Sequence, residues 1–454
     1  MKNKRILSDD TPNHVGSEVL ISGWVRARRD HGKLIFLDVR DRTGLLQVVV
    51  NPAVSEKSHS TASTLRSEDV ISVIGNINKR PDKLINTKMK SGSVELEATE
   101  IIVEQKAETL PFDMGVESLH LELPTLLDYR SLTIRHPKIA AIFTLQAEIV
   151  DAFRKIAEEL GSTEVFVPTI VASSTEGGAD VFSIDYYSHK AYLAQSPQLY
   201  KQMLVPMFER VHTIAHAYRA EPSVTTRHLS EVTQIDMELG FMEFDELLDT
   251  LEHVGTKMLQ IASEKHKDIL EMYGVSAPLI PAHIPRLTLK ETQDIITKRT
   301  GRDLSKEQDL NPEDEIEICK WAKEEHASDF VTITHFPLKK KPFYTHVDPK
   351  NKELSLSYDL LFRGREVLSG SQRVNDYKEL VNAIKSRGMN VSNFGMYLQA
   401  FQYGMPKEGG FSFGLERLTM QLLELGNIRE AAVYPRDMER VDERFSKKEI
   451  KKKS

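Results

Sequence analysis

Cysteine, tryptophan and long apolar runs are scarce in this 454-residue chain, and each scarcity argues against a class of protein. The single cysteine, Cys319, has no partner for an internal disulfide and cannot support a cysteine-rich zinc site, so we expect it to be a small buried apolar residue. No run of about 18 uncharged apolar residues occurs, and no apolar segment follows the basic start. We therefore expect a cytoplasmic protein with no membrane partner.

The balance of apolar and charged residues is that of an ordinary globular protein. Apolar residues make up 40% of the chain and charged residues 28%, whereas disordered chains have far fewer apolar residues. The formal net charge of −7 argues against a protein that coats nucleic acid nonspecifically. Lysines nevertheless collect in the C-terminal residues 446–454. This basic tail is equally compatible with a polyanion contact and with a solvated, frayed end.

The pattern of apolar residues divides the chain into two main parts. Between residues 17 and 105, five short alternating or β-branched segments are separated by Gly, Asp and Asn turns, which is the pattern of an OB-fold barrel. We predict an α+β protein with this five-stranded barrel as domain 1–105, a linker over 106–135, a larger domain over 136–445, and the basic tail.

The larger predicted domain begins with a long amphipathic helix. Apolar residues recur at helical spacing over residues 138–160, and Gly161 is suited to the left-handed C-cap. The strand-like and helix-like segments that follow lack the regular β-α alternation of a Rossmann fold, and no P-loop motif is present. We therefore predict an antiparallel sheet flanked by helices, in which any ATP site is built without a P-loop.

Two strand-like segments joined by a polar loop contain the first candidate site residues. Side chains two apart on a strand share a face, so we expect Arg219 and Glu221 to project together from the first strand. Arg227 and His228 lie in the predicted loop, within reach of a bound polyanion. An arginine can fork two phosphate oxygens, and a carboxylate can accept from an exocyclic amine. The alternative is an exposed hairpin with cross-strand salt bridges.

A glycine-rich segment, residues 409–416, contains the second group of candidates. Its glycines would let a strand approach a ligand closely, and the helix beginning after Gly414 would aim Arg417 at negative charge. A tight strand-to-helix turn with a capping carboxylate is the alternative interpretation. The long helix followed by the strand at residues 164–168 is informative only together with the other two segments.

In this order and at this spacing, the three segments resemble motifs 1, 2 and 3 of class II aminoacyl-tRNA synthetases. An N-terminal OB-fold before such a body is similar to subclass IIb, which contains the aspartate, asparagine and lysine enzymes. The resemblance implies ATP-dependent formation of an aminoacyl-adenylate, transfer to the 3′ end of a tRNA, and a homodimer formed through the long helix. About 100 residues separate Gly240 from Pro342, which is typical of the short archaeal or eukaryotic-like form.

Three further segments, residues 173–182, 194–204 and 363–373, resemble the aspartate enzymes. A pocket that selects aspartate over the equally large asparagine must discriminate by charge, and we predict that Lys201 and Arg373 converge on the substrate side chain. Two surface cations are the alternative. By resemblance, the other aspartate-binding residues are Glu176, Gln195, Gln198, Asp236 and Ser369.

The same resemblance assigns an ATP site and a metal site. ATP would be bound by Arg219, Glu221, Arg227, His228, Glu366, Gly414 and Arg417, of which Arg219, Glu221 and Arg417 would be catalytic. Mg²⁺ would be held by Asp359, Glu366 and Ser369, because hard cations prefer oxygen ligands. Edge-strand carboxylates without a metal are the alternative. The aspartate carboxylate would attack the α-phosphate in line, so positioning and electrostatics would do most of the catalysis.

The barrel contains the predicted anticodon contacts. Phe36 and Gln47 match the positions that read the central U of the anticodon in this family, and Arg29 suits either a phosphate or a base contact. For Phe36, a place in the barrel core is the alternative. His31 and Pro81 resemble relaxed enzymes that charge both tRNA(Asp) and tRNA(Asn). The resemblance therefore implies an aspartate-specific enzyme acting on both tRNAs.

Two departures from the family pattern leave details of the site open. Asn375 stands where histidine is common, and Arg365 replaces a common acidic residue beside Glu366. Two alternatives also stay open. One is an asparagine-charging enzyme of the same fold, which Lys201 disfavours. The other is a tRNA-binding paralogue without activity. Loss of Arg219, Glu221, Arg417 or Glu366 would be expected in it, and all four are present.

Overall fold

A computed structural model of the protein describes residues 4–87, 89–173, 181–221 and 225–445. The chain divides into two compact units, Met1–Leu121 and Glu122–Ser454. This boundary falls inside the segment predicted as a linker, 106–135, whose second half belongs to the larger unit. Within that half, the buried guanidinium of Arg130 donates to the backbone carbonyls of Glu430, Ala432 and Val433 at 2.7–3.0 Å. None of the described helices is long and apolar enough to span a membrane.

The smaller unit is a closed five-stranded barrel, as the sequence predicts for an OB-fold. Its strands are β1 (Glu18–Asp30), β2 (Ile35–Arg40), β3 (Leu45–Val50), β4 (Val70–Lys79) and β5 (Val94–Gln105), with the helix α1 (Glu56–Ser63) after β3 and 3-10 helices at Ser8–His14 and Asp82–Leu84. The strand order is β1-β2-β3-β5-β4, antiparallel except for the β3–β5 pair.

Alternation along β2 decides which side chains fill the barrel. Ile35, Leu37 and Val39 are buried in its core, because successive side chains of a strand point to opposite faces. Phe36 is therefore directed away from the core and is only half-buried. The interpretation of Phe36 as a core residue is wrong, and its ring lies on the outer face of the barrel.

The larger unit combines eleven helices and thirteen strands among its described residues. The helices are α2 (Leu123–Asp128), α3 (Arg130–Thr133), α4 (Pro137–Glu159), α5 (Gln198–Phe208), α6 (Phe244–Lys265), α7 (Lys267–Tyr273), α8 (Leu289–Thr300), α9 (Pro312–His326), α10 (Tyr377–Ser386), α11 (Gly395–Gln402) and α12 (Leu415–Leu422), with 3-10 helices at Leu338–Lys340, Val391–Phe394 and Ile428–Ala431. The strands are β6 (Thr163–Glu164), β7 (Ile170–Val171), β8 (Ser183–Tyr186), β9 (His189–Leu193), β10 (Arg210–Tyr218), β11 (Glu231–Gly240), β12 (Arg286–Thr288), β13 (Phe330–Thr334), β14 (Val347–Asp348), β15 (Asn351–Ser355), β16 (Ser357–Phe362), β17 (Arg365–Gln372) and β18 (Glu408–Gly414).

Eight of these strands form one sheet in the order β12-β13-β16-β17-β18-β11-β10-β6. All neighbours are antiparallel except the two edge pairs, β12–β13 and β6–β10. The main apolar core contains residues of α4, α6, α12 and the central strands. The predicted α+β architecture, an antiparallel sheet flanked by helices, is confirmed.

The first long helix begins and ends close to the predicted positions, because local signals fix both ends. His136 is the N-cap and accepts from the backbone N–H of Lys138, while Pro137 occupies the first turn, where no N–H is needed. After α4, Gly161 has a φ of +71°, which a residue with a Cβ adopts only with strain. Cys319 of α9 is buried in an apolar cluster, as expected.

Candidate active site

The candidate site is built around β11, a central strand of the large sheet. Asp236 and Glu238 are two residues apart and therefore share a face, and both are buried. The cross-strand partner of Glu238 is Gly410 of β18. A Cβ added at Gly410 would lie 2.3 Å from a Glu238 carboxylate oxygen. At Gly410, the glycine-rich segment thus makes room for a buried carboxylate.

Lys201 of α5 is fully buried between the two β11 carboxylates. Its Nζ lies 3.0 Å from Oδ2 of Asp236 and 3.1 Å from Oε2 of Glu238. It also donates to the carbonyl oxygen of Phe411 at 3.4 Å. The surface-cation alternative is wrong for Lys201, because the side chain is fully buried. A buried ammonium must be paired, and the two carboxylates pair it here.

Arg373, which directly follows β17, reaches the same carboxylate from the other side. Its Nε donates to Oε1 of Glu238 at 2.7 Å, and a terminal nitrogen donates to the carbonyl of Gly410 at 2.9 Å. The remaining donors reach Oγ of Ser371 at 2.7 Å and Oε1 of Gln198 at 3.2 Å. The guanidinium is 4% exposed and is therefore held rigidly at its position.

Charge is balanced in this buried cluster. Burial alone would raise the pKa of Glu238, but the positive charges of Arg373 and Lys201 outweigh it and hold this pKa below its usual range. Burial raises the pKa of Asp236, and the ammonium of Lys201 opposes that rise. Two cations therefore face two carboxyl groups, and Oδ1 of Asp236 also accepts from Oγ of Ser412 at 2.6 Å.

A cavity of about 170 Å³ opens beside this cluster. Its lining includes five of the predicted site residues, Gln198, Arg219, Asp236, Ser369 and Arg373. Polar neighbours in the lining are Ser196, Gln234, Lys341, Tyr344, Thr345, Ser371 and Ser412. The volume suits a small polar molecule, since sites for drug-sized ligands occupy roughly 300–1,000 Å³.

Some predicted aspartate-binding residues are not in this lining. Lys201 is not in the wall, and its Nζ pairs with Asp236 and Glu238. Arg373 shares Glu238 with Lys201 but does line the cavity. Gln195 is half-buried, but only its neighbour Ser196 lines the cavity. Glu176 lies outside the described residues.

The predicted nucleotide-binding residues come together around the loop between β10 and β11. β10 ends at Tyr218, so Arg219 and Glu221 lie beyond the strand, and the prediction that they share a strand face is wrong. Burial lowers the pKa of His228. The negative charge of Glu221 opposes this, and the positive charges of Arg417, Arg219 and Arg227 lower the pKa further. These three arginines, two from the β10–β11 loop and one from α12, therefore form one positive region.

Motif-3 residues connect this positive region to the sheet. Gly414 is the N-cap of α12, and Arg417 lies in the first turn of that helix. A terminal nitrogen of Arg417 donates to the backbone carbonyl of Glu366 at 2.8 Å and lies 3.6 Å from Oε1 of Glu366. Arg365 turns toward α9, where its guanidinium lies 3.7 Å from Glu315 and donates to the carbonyl of Pro312.

Asp359 and Glu366 form a pair of carboxylates on neighbouring strands. Asp359 of β16 is opposite Ser369 of β17, and a β-bulge separates that pair from Glu366. Simple alternation would put Glu366 and Ser369 on opposite faces, and a bulge can re-aim a side chain. Burial and then the charge of Asp359 raise the pKa of Glu366 to about 7. Lys341 binds both oxygens of Asp359 at 2.9–3.0 Å.

These carboxylates fit a hard divalent cation. They offer two oxygen-donor side chains whose mutual repulsion a cation would relieve, with the hydroxyl of Ser369 nearby in the register. Within the described ranges, no cluster of three or more His, Cys, Asp or Glu side chains forms a self-contained metal site. A cation here would therefore need further ligands such as phosphate oxygens or water.

The outer face of the barrel gathers most of the predicted anticodon contacts. Phe36 is opposite Arg29 in the β1–β2 register, and its ring meets the His31 ring edge to face with centroids 5.5 Å apart. A terminal nitrogen of Arg29 lies 3.4 Å from Oε1 of Gln47, whose amide donates to Glu95 at 2.9 Å. Pro81 is exposed, at the start of the 3-10 helix after β4.

Several residues at the site, three of them buried, escaped the sequence analysis. Glu238, Gln202, Lys341, Ser412 and Glu408 all contact predicted site residues or each other. Glu238 is two residues after Asp236 on the same strand, and Glu408 is a charged residue at the start of an apolar strand. Both signals are present in the sequence, but neither identifies the partners.

Comparison with known proteins agrees with this architecture. Residues 122–438 match the family described as tRNA synthetases class II (D, K and N), and residues 19–104 match the OB-fold nucleic acid binding domain. An aspartate–tRNA(Asp/Asn) ligase of Deinococcus radiodurans is 38% identical over 96% of this chain and 98% of its own length. An aspartate–tRNA(Asp) ligase of Pyrococcus horikoshii is 37% identical over 94% of this chain and 96% of its own length.

Solved structures of similar proteins include both aspartate and asparagine enzymes. An asparaginyl-tRNA synthetase of Pyrococcus horikoshii, complexed with asparaginyl-adenylate, has a TM-score of 0.88 at 30% identity and covers 97% of this chain and 100% of its own. A putative aspartyl-tRNA synthetase of Leishmania major has the same TM-score at 26% identity and covers 97% of this chain and 95% of its own. The chain belongs to the class II aminoacyl-tRNA synthetases, in the family of the aspartate, lysine and asparagine enzymes.

Proposed function

We propose that this protein is an aspartate–tRNA ligase that activates L-aspartate with ATP and transfers it to the 3′ end of tRNA(Asp) and of tRNA(Asn). The observation that carries the choice of amino acid is Arg373. Its guanidinium lines the cavity and is fixed by Glu238, Gln198 and backbone and hydroxyl acceptors. A fixed cation in the wall favours a side-chain carboxylate over a carboxamide, because an ionised ligand gains Coulombic attraction to the guanidinium that a neutral ligand of the same size lacks.

The chain's own residues would position the reactants. Asp236 is the acceptor in the cavity wall for the substrate ammonium, with Glu176 as its proposed partner by resemblance. Arg219 also lines the cavity, and with Arg417 it would offset the charge that develops on the α-phosphate during in-line attack. No general base is required for this step, because the attacking α-carboxylate of aspartate is already ionised near pH 7. Rate would come from alignment and from this fixed positive charge.

Mg²⁺ is the proposed cofactor. Asp359 and Glu366 would hold it, with Ser369 as an additional oxygen donor. When bound together with ATP, it would supply positive charge that offsets the phosphate oxygens and fixes their orientation. The electrostatic repulsion between the two carboxylates supports this assignment.

For tRNA, the proposed contacts are on the barrel. An outward aromatic ring, Phe36, and an amide with donor and acceptor groups two positions along the same face, Gln47, suit stacking and reading of an unpaired base. Charging of both tRNAs is supported by His31 and by the similarity to the Deinococcus enzyme, an aspartate–tRNA(Asp/Asn) ligase. The similarly close Pyrococcus ligase acts on tRNA(Asp), so overall identity alone does not separate the two possibilities.

A homodimer is also part of this proposal. Large apolar side chains stay exposed on the larger unit, among them Phe166 at 87%, Met207 at 76% and Phe241 at 69%. Such side chains support an interface with a second copy of the chain. Light scattering should give twice the monomer mass, and Phe166→Asp should shift it toward monomer. A monomeric wild-type protein at micromolar concentration would contradict this part.

The central experiment is amino-acid-dependent exchange of pyrophosphate into ATP. Aspartate should support exchange and asparagine should not. Exchange with asparagine in place of aspartate would favour the asparagine enzyme, a class to which one of the similar solved structures belongs. No exchange with either amino acid would favour a non-catalytic tRNA-binding paralogue.

Charging of transcripts separates the two tRNA specificities. The enzyme should attach aspartate to tRNA(Asp) and tRNA(Asn) transcripts, and His31→Leu should reduce charging of tRNA(Asn) more than that of tRNA(Asp). Absence of product on tRNA(Asn) above background would restrict the activity to tRNA(Asp).

A further inference from the structure

Behind the cavity lies a third buried carboxyl group, that of Glu408, to which no role has yet been given. Glu408 is the first residue of β18, is fully buried, and its backbone carbonyl accepts from the N–H of Arg373 at 2.9 Å. Its Oε1 accepts from Nε2 of Gln202 at 2.7 Å. For its Oε2, the described part of the chain supplies no hydrogen-bond donor.

A directed chain of hydrogen bonds leads from Glu408 to the cavity. Oε1 of Gln202 accepts from Nε2 of Gln198 at 3.0 Å and from the hydroxyl of Tyr397 at 3.1 Å. Oε1 of Gln198 in turn accepts from a terminal nitrogen of Arg373 at 3.2 Å. All three amide or carboxyl side chains are buried, and of the three only Gln198 lines the cavity.

Glu408 fixes the far end of this chain, and at the near end Oε2 of Glu238 is a second acceptor, 3.5 Å from Nε2 of Gln198. A side-chain amide has one accepting and one donating end, so fixing one end fixes the other. Because Gln202 donates to Glu408, its oxygen faces Gln198, and the oxygen of Gln198 then faces Arg373. A reversal of both amides would turn the NH₂ group of Gln198 toward the guanidinium, where two donors would oppose each other.

The charge of the cluster is consistent with an uncharged Glu408. Lys201 and Arg373 already face the carboxylates of Asp236 and Glu238, so a further ionised group would give this buried region an excess of negative charge. Burial and then the charge of Glu238 raise the pKa of Glu408 well above its usual range. The charged and titratable groups facing it are Glu238 of β11, Arg373 after β17, Lys201 of α5 and Tyr397 of α11.

We propose that Glu408 is a positioning residue for amino-acid selection, whose buried carboxyl sets the orientation of the Gln202 and Gln198 amides and thereby holds Arg373 in place for the substrate carboxylate. This inference rests on the proposed aspartate activation. Glu408 itself does not line the cavity, so it acts through the two glutamines.

Two substitutions at this position separate hydrogen bonding from charge. Glu408→Leu removes the acceptor for Gln202, whereas Glu408→Gln keeps an acceptor and stays uncharged. In aspartate-dependent pyrophosphate exchange, we expect Glu408→Leu to raise the KM for aspartate by about tenfold or more, with the KM for ATP changed less than about threefold. Glu408→Gln should restore the aspartate KM to within about threefold of wild type.

Either of two results would overturn the proposal. One is an unchanged aspartate KM in Glu408→Leu, and the other is a Glu408→Gln variant as impaired as Glu408→Leu. Asp314→Asn is the matched control, since Asp314 is a buried carboxylate that pairs with Arg302 and caps α9 away from the cavity. It should affect stability without changing the aspartate KM.

The failure of this inference is distinct from the failure of the proposed function. If the wild-type protein shows no aspartate-dependent exchange, the proposed function is wrong before any variant is compared. If the wild type is active and the variants behave like it, only the role of Glu408 is wrong.

A measurement of stability covers the case in which Glu408→Leu does not fold. A group with a raised folded-state pKa keeps its proton in the folded state above the pH at which the unfolded chain releases it, so wild-type stability falls as pH rises through that interval. The Tm of Glu408→Gln relative to wild type should therefore increase from about pH 5 to about pH 8. A difference that does not change with pH would mean that Glu408 is ionised in the folded protein, and would contradict the proposed role, in which an uncharged acceptor at position 408 orients Gln202.

Discussion

The guanidinium of Arg373 and the ammonium of Lys201 share one counter-ion, the carboxylate of Glu238. Nε of Arg373 lies 2.7 Å from one oxygen of this carboxylate, and Nζ of Lys201 lies 3.1 Å from the other. The two cations come from a helix and from the end of a strand, 172 positions apart by their residue numbers. Only Arg373 reaches the cavity wall, so the two cations have different roles.

The first prediction concerns the geometry of Arg373. Arg373→Lys keeps the positive charge but loses the planar fork that contacts Glu238, Gln198 and Ser371 together. We expect kcat/KM for aspartate in pyrophosphate exchange to fall by about 100-fold or more. The matched control is Arg299→Lys, at an arginine that binds Glu317 and Glu324 outside the cavity, and its activity should stay within about twofold of wild type. Near-normal aspartate kinetics in Arg373→Lys would remove the main support for charge-based selection.

The second prediction concerns the metal. Asp359→Asn removes one of the two charges of the carboxylate pair while keeping the size of the side chain. We expect the Mg²⁺ concentration for half-maximal exchange to rise by about tenfold or more, with little change in the KM for aspartate. Asp348→Asn serves as control, because Asp348 is also a buried aspartate of the larger unit but accepts from the backbone of Lys350. An unaltered Mg²⁺ requirement in Asp359→Asn would exclude Asp359 as a ligand.

The third prediction separates anticodon binding from amino-acid activation. Phe36→Ala removes an outward aromatic ring, and stacking of one base on an aromatic side chain contributes about 1–3 kcal/mol. We expect the KM for tRNA(Asp) in aminoacylation to rise by about 5–150-fold, whereas pyrophosphate exchange without tRNA should be unchanged. Ile102→Ala, at a partly exposed apolar residue of β5, should alter neither reaction. Equal loss in both assays would indicate that Phe36 acts through folding rather than through tRNA.

The fourth prediction concerns the acid stability of the barrel. Burial alone would raise the pKa of Asp69, but the backbone N–H groups of Ala107 and Arg66 and the ammonium of Lys106 outweigh it and lower this pKa. The carboxylate accepts from those two N–H groups at 2.8 and 2.9 Å. A lowered pKa contributes stability above the unfolded value of about 3.9, and that stability is lost as pH falls through the folded value.

Asp69→Asn should therefore destabilise the smaller unit by about 1–3 kcal/mol near pH 7, and the difference from wild type should shrink below about pH 4. Urea unfolding followed by the fluorescence of Trp24 measures this unit, provided that Trp321, the other tryptophan, is replaced by phenylalanine in both proteins. A difference that stays constant down to about pH 2 would show that the Asp69 carboxylate does not carry this pH dependence.

Local sequence signals were sufficient for much of the fold. Alternation of apolar residues predicts the barrel strands, and a cap, a proline and a glycine mark the ends of α4 within a residue or so. These signals act over a few residues, because side-chain direction along a strand and capping at a helix end depend on the local backbone. The order and spacing of the three motifs were enough to identify the family.

The contacts that define the candidate site depend on segments far apart in the chain. The pairing of Lys201 with Glu238, the bulge beside Glu366 and the position of Glu408 all follow from how β11, β16, β17, β18 and α5 meet. A one-residue change of register turns a side chain to the other face of a sheet, so the sequence of one strand does not reveal its neighbours' partners. The sequence by itself therefore determines the residue types suited to binding aspartate and ATP. Only the tertiary structure determines which counter-ion each cation pairs with, because that pairing depends on long-range packing and on the need to pair every buried charge.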